Sequence, residues 1–157
     1  MGRSSQITIT NADIGTGDDC ISFGDGTQDI TVNQVSCGRG HGISVGSPGR
    51  YQNEEPVSGF RVTGATLSNT DNGVRIKTWP ASASGVASDI HFEDVVMNNV
   101  ANPVMIDQNY CPISQCSNKV IINIINIYTN FDVKKEEVKL LISNSWVCFF
   151  VLFSVSL

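Results

Sequence analysis

The chain has 157 residues, 41% apolar and 16% charged, which is one domain's worth with length enough for a core and too little charge for a disordered chain. Ten Lys and Arg stand against fifteen Asp and Glu, a net charge of −5, so no basic stripe exists to meet nucleic-acid phosphates. Fourteen glycines, with many Asn, Ser, Thr, Val and Ile, favour turns and strands over helices.

In chain order, a short alternating apolar run opens at Ile7 (ITITNADIG). GTGDDCISFGDG follows, Gly15 to Gly26, where four glycines in twelve residues exclude a helix. It reads as a turn carrying adjacent acids, Asp18 and Asp19, into a strand, CISF. A second run starts at Ile30 (ITVNQVSCG) and leads to CGRGHGISVG. A third starts at Phe60 (FRVTGATLS) and leads to NGVRIK. A fourth starts at Ile90 (IHFEDVVMN) and leads to PVMID, and a fifth, VIINIINIY, starts at Val120. The steps between runs are 23, 30, 30 and 30 residues.

Alignment of the second strands places Ile21, Ile43, Val74 and Val104 in one column. Phe23, Val45, Ile76 and Ile106 fill the column two residues later. Between them stand Ser22, Ser44, Arg75 and Met105. This is period two repeated from coil to coil, with apolar columns inward. Strands that recur in register predict a parallel solenoid, in which each coil buries its apolar face on its neighbours. An antiparallel sandwich also has short strands, but gives no reason for the columns.

The same alignment puts Asp19 in the column of His41, Asn72 and Asn102, with Asp18 beside Gly40. A turn relaxes strand alternation, so both acids can reach one face, and stacking brings Asp19 close to His41. Arg75 and Lys77 share a strand face while Ile76 points inward. Two cations beside two carboxylates and a histidine suit an anionic substrate cut by acid/base chemistry. Taken singly, each group has a plainer reading. The acid pair serves as a turn or a calcium ligand, His41 as a tight-turn residue between glycines, and Arg75 and Lys77 as a solvated strand face.

There are five cysteines, 20, 37, 111, 116 and 148. The first four suit two local bridges and an oxidising compartment. A metal site competes, but no CxxC exists and the only histidines are His41 and His91.

TGDDC, CGRGHGISVGS, NGVRIKTW and IDQNYC together resemble the plant polygalacturonases, the pectin-hydrolysing members of glycoside hydrolase family 28. GRSS near the start, YQNEEPV and IHFEDVVMNNV are similar to the exo-acting, pollen-type branch. The resemblance implies an all-β fold, a right-handed single-stranded parallel β-helix. It implies inverting hydrolysis of α-1,4 galacturonosyl bonds, with Asp18 as general acid, Asp19 as a base that activates water, and His41 tuning the acid or orienting the water. Arg75, Lys77 and Tyr110 would bind substrate. Crowding of the two acids is expected to raise the pKa of the acid. The implied partner is polygalacturonate or pectin, in a secreted, cell-wall setting. No cofactor, metal, nucleic acid, membrane or obligate protein partner is expected. Stacking of adjacent coils also predicts a Cys20–Cys37 bridge, with Cys111–Cys116 closing a smaller loop.

Residues 1–127 are expected to form the partial β-helix domain. Residues 128–157 resemble nothing in the family and read as a tail from a read-through or mis-spliced end, apolar over 146–157 and too short to span a bilayer; Cys148 there is left without a partner. The family's other base lies one coil before GDD. That coil has no counterpart after Met1, so the chain as written is expected to be inactive or nearly so. Arg39 stands where the family usually has proline. A catalytically dead fragment or pectin-binding solenoid is the alternative function. A β-helical pectate lyase is a third reading, disfavoured by the GDD, GHG and RIK stretches occurring together.

Overall fold

The computed structural model describes residues 1–80, 86–112, 116, 127–134, 140–143 and 149–154. The described residues form no helix. The first coil holds β1 (Ser5–Thr10), β2 (Asp13–Gly15) and β3 (Ile21–Phe23). The second holds β4 (Gln28–Asn33), β5 (Ser36–Gly40) and β6 (Ile43–Val45). The third holds β7 (Val57–Thr63), β8 (Thr66–Thr70) and β9 (Asn72–Lys77). In the fourth, β10 (Ala87–Asn98) runs along two faces without a break and β11 (Asn102–Asp107) follows. The backbone continues as β12 (Ile127–Lys134), β13 (Leu140–Ser143) and β14 (Phe149–Ser154).

Every pairing is parallel and joins equivalent strands of successive coils. Ile7, Ile30, Phe60 and Ile90 stack in one column. Ile21, Ile43, Val74 and Val104 stack in another, with Phe23, Val45, Ile76 and Ile106 two residues on. The result is the expected parallel β-helix, with one sheet in the order β1-β4-β7-β10-β8-β5-β2 and the other β13-β11-β9-β6-β3. An antiparallel sandwich is excluded. The fifth run lies outside the described residues over 120–126, and its last two residues, Ile127 and Tyr128, open β12. That strand stacks on β10, with Ile90 opposite Thr129.

Period-two alternation sends the apolar columns into the coil's interior, where Phe23, Ile30, Val45, Phe60, Leu67, Phe92 and Ile106 are buried. Phe23 and Phe60 stack at 4.2 Å between ring centroids with planes 12° apart. Each such side chain is worth about 1.5–3 kcal/mol on burial. Two further columns lie in the left-handed region. Gln6, Asp29, Gly59 and Asp89 have φ of 57°, 55°, 68° and 53°, and Asn11, Gln34, Gly64 and Asp94 have 54°, 53°, 66° and 51°. Short polar side chains and glycine tolerate that region best, so each coil bends at the same place as its neighbour.

Candidate active site

The site lies on the turns that feed the second sheet. Residues 16–20, His41-Gly42 and Asp71 stack as the β2–β3, β5–β6 and β8–β9 corners of successive coils. The stack is bonded through the backbone: His41 N–H donates to Asp18 O at 3.0 Å, Cys20 N–H to Gly42 O at 2.8 Å, and Asp71 N–H to Gly40 O at 2.8 Å. Gly42 has φ +82°, and a Cβ there would strike the carbonyl oxygens of Asn72 and Gly73. The residue after His41 therefore has to be glycine, and the histidine is held against both neighbouring coils.

The neighbouring acids have opposite environments. Asp19 is inside the wall, its side chain 10% exposed, between Arg75 Nη2 at 2.9 Å and Lys77 Nζ at 2.7 Å. Ser44 Oγ donates to the same carboxylate at 2.8 Å. Asp18 is 84% exposed and meets His41 Nδ1 at 3.0 Å. The other ring nitrogen of His41, Nε2, lies 3.6 Å from Asp71 Oδ2. Tyr110 closes the cationic side, its ring centroid 4.9 Å from Lys77 Nζ and 5.8 Å from the Arg75 guanidinium. Asp18, Asp19, His41, Arg75, Lys77 and Tyr110 are thus gathered on one wall.

The expected rise of the Asp18 pKa by crowding is not found. Its carboxyl is held below the usual aspartate value, chiefly by the Asp19 backbone N–H and next by the His41 ring; that N–H donates to Oδ1 at 2.7 Å. Arg75 and Lys77 neutralise the neighbour that was to have repelled it. A carboxyl depressed in the folded state adds stability above its unfolded pKa and loses it as pH falls through the folded one. Exposure keeps that contribution small. His41→Ala is expected to raise the Asp18 pKa part of the way to the ordinary aspartate value, leaving the backbone's share. A carboxyl-resolved NMR titration checks this, and an unmoved Asp18 would show that the histidine does not set it.

Cys20 and Cys37 are bonded with Cα atoms 5.8 Å apart, pinning the acid turn to the histidine coil, and Cys111–Cys116 closes the loop beside Tyr110 with Cα atoms 6.0 Å apart. Removing the first bridge by a Cys20→Ser, Cys37→Ser double change is expected to cost about 3 kcal/mol in urea unfolding. A change below about 1 kcal/mol would mean that the backbone bonds alone hold the corner. Cys148 lies outside the described residues.

Arg39 is exposed at φ 49°, a value closed to proline. One ligand atom from each of Asp18, Asp19 and His41 falls within 4.8 Å of the others. A divalent cation there would have to compete with the two cations that already hold Asp19. Ser44 and Asp71 were not singled out in the sequence. The alignment that placed Asp19 beside His41 also puts Ser44 beside Arg75 and Asp71 just ahead of Asn72, and was the available signal.

The sequence model of the Glycosyl hydrolases family 28 matches residues 1–154. A polygalacturonase of Gossypium barbadense is 55% identical over 116 residues, 74% of this chain and 28% of that protein. An exopolygalacturonase of Platanus acerifolia is 60% identical over 117 residues, covering 74% of this chain and 31% of the relative. One from Oenothera organensis is 49% identical over 154 residues, 94% of this chain and 42% of the relative. The chain thus spans less than half the length of these relatives. Among solved structures, the endo-xylogalacturonan hydrolase from Aspergillus tubingensis superposes with a TM-score of 0.70 at 25% identity, over 98% of this chain and 47% of that one. The polygalacturonase from Erwinia carotovora ssp. carotovora gives 0.63 at 25% identity, over 99% and 45%.

Proposed function

Because the chain belongs to the Glycosyl hydrolases family 28, we propose that its wall of acids and cations takes polygalacturonate and hydrolyses the α-1,4 bonds between galacturonates. The observation that carries this reading is the contrast between Asp19, clamped by Arg75 and Lys77, and the exposed Asp18 on His41. Two cations against one carboxylate leave positive charge for a uronate in an otherwise acidic protein. Asp18 delivers a proton to the glycosidic oxygen, and Asp19, held in place by Arg75, Lys77 and Ser44, takes one from water. Asp18 is low in pKa while the site is open to water. An anionic sugar that displaces water raises it, because both like charge and desolvation disfavour the ionised form.

Inversion is carried by the family resemblance and not by spacing. One oxygen of each acid lies within 4.8 Å, below the separation of about 6.5–9.5 Å common in inverting pairs. NMR of the first-formed anomer tests it: β-galacturonate is expected from the α-linkage, and α-galacturonate would reverse the assignment.

Reducing-end release from polygalacturonate, with binding measured alongside, tests the reaction itself. Binding without release would turn the reading to a pectin-binding solenoid, and neither would sink it. Exo action is supported by the long β6–β7 connection that carries Gln52 to Pro56 and by relatives named exopolygalacturonase. Monogalacturonate is expected with a slow fall in viscosity; a rapid fall with mixed oligomers means endo action. The two disulfides support a secreted, cell-wall setting. Among the described residues, no helix is long and apolar enough to cross a membrane.

A further inference from the structure

Beyond Tyr110, the cationic wall does not end. Trp79 meets the Tyr110 ring edge-on at 6.1 Å between centroids. The Arg50 guanidinium lies 5.1 Å from the centre of the Trp79 ring and 5.2 Å from that of Tyr51. Successive corners supply these groups: Arg50 and Tyr51 from the β6–β7 connection, Trp79 from β9–β10, and Tyr110 from the segment after β11.

The Arg50 loop is built to hold its shape. Glu54 accepts the backbone N–H of Gly49 at 2.5 Å and that of Tyr51 at 2.8 Å, bracketing Arg50. Trp79 donates its indole N–H to Ser47 Oγ at 2.9 Å, and its backbone N–H to Pro48 O at 3.1 Å. The loop and the tryptophan are therefore fixed to each other. Arg3, Arg61, Arg75 and Lys77 all have carboxylate partners, whereas among the described residues no carboxylate pairs with Arg50. Its charge rests on aromatic faces, an attraction that leaves the planar N–H fork unused. A fork so placed matches a carboxylate with two parallel hydrogen bonds.

We propose that Arg50, positioned by Tyr51 and Trp79, is a second carboxylate-binding point for the same uronic-acid polysaccharide, separate from Arg75 and Lys77. The proposal rests on the uronate reading of the site above. It adds that the chain is gripped at two anionic sugars, one at the cations around Asp19 and one at the far end of the aromatic strip. The aromatic edges between them offer apolar surface to the sugar rings. Uniform binding of this kind lowers KM without changing the chemical step.

The test is calorimetric binding of hexagalacturonate and monogalacturonate to the full chain and to Arg50→Gln and Arg50→Lys. Arg50→Gln is expected to weaken hexagalacturonate about tenfold and to leave monogalacturonate bound at the Arg75 and Lys77 point unchanged, since one sugar cannot reach both points. Arg50→Lys keeps the charge but loses the fork, and should recover only part of the affinity. Arg50 is exposed, so the melting temperature should stay at the wild-type value. If wild type binds hexagalacturonate and Arg50→Gln binds it equally well, this proposal is overturned and the uronate reading stands. If wild type binds neither ligand, both fall together.

Discussion

Asp19→Ala is expected to destabilise the protein by about 3–5 kcal/mol, the cost of removing one partner from a buried ion pair. Arg75 and Lys77, whose side chains are 12% and 6% exposed, would then lie side by side with no carboxylate between them. Ser44 Oγ would lose its acceptor too. Urea unfolding gives the number, and Lys77→Met in the same background should restore part of it by removing the excess cation. A loss below about 1 kcal/mol would mean that water reaches the pair and that the clamp contributes little to the fold.

The adjacent acid has the opposite signature. Asp18→Asn is expected to leave stability within about 0.5 kcal/mol of wild type, as at other exposed positions. An amide oxygen can still accept the Asp19 N–H. It cannot deliver a proton, so whatever turnover on polygalacturonate the wild-type chain shows, itself expected to be low without the second base, should fall by about 10²- to 10⁴-fold. Side by side in the chain, one carboxylate is thus a structural counter-ion, to which the proposed reaction adds a chemical role, and the other carries little of the fold and, under the same proposal, a chemical role alone. An Asp18→Asn protein that releases reducing ends at the wild-type rate would remove Asp18 from the acid role.

Much of this was legible in the sequence because a solenoid repeats its own register. Aligning Ile21 with Ile43, Val74 and Val104 requires only period-two alternation, and that column fixes its neighbours on the same strands and on the turn before them. That is why Asp19, His41, Arg75 and Lys77 fall on one wall in the sequence alone. What the columns could not give was who pairs with whom. Arg75 and Lys77 read as free cations for substrate, yet both reach across to Asp19, because side-chain length and direction decide that contact. The Asp18 pKa was misjudged for the same reason: repulsion was counted between the two acids without the cations that cancel it. Arg50 and Trp79 carry no such signal, because they lie in connections, where no alternation exists to order them.

The corners of the coil are not equally free to change length. Between the strands of the larger sheet the chain turns in residues 11–12, 34–35 and 64–65, each held at the left-handed column. Between the second sheet and the next coil it uses 24–27 and 46–56, and among the described residues 78–80 and 108–112 begin the two later connections. Most of the variation in coil length falls at this last corner, and so do Arg50, Trp79 and Tyr110. A residue inserted at the first corner would flip the side chains of the strand that follows to the wrong face, whereas the last corner absorbs insertions outside the ladder. Diversification of this fold therefore has one permissive address per coil, and loop grafting between relatives should succeed at 46–56 while the stacked strands stay as they are.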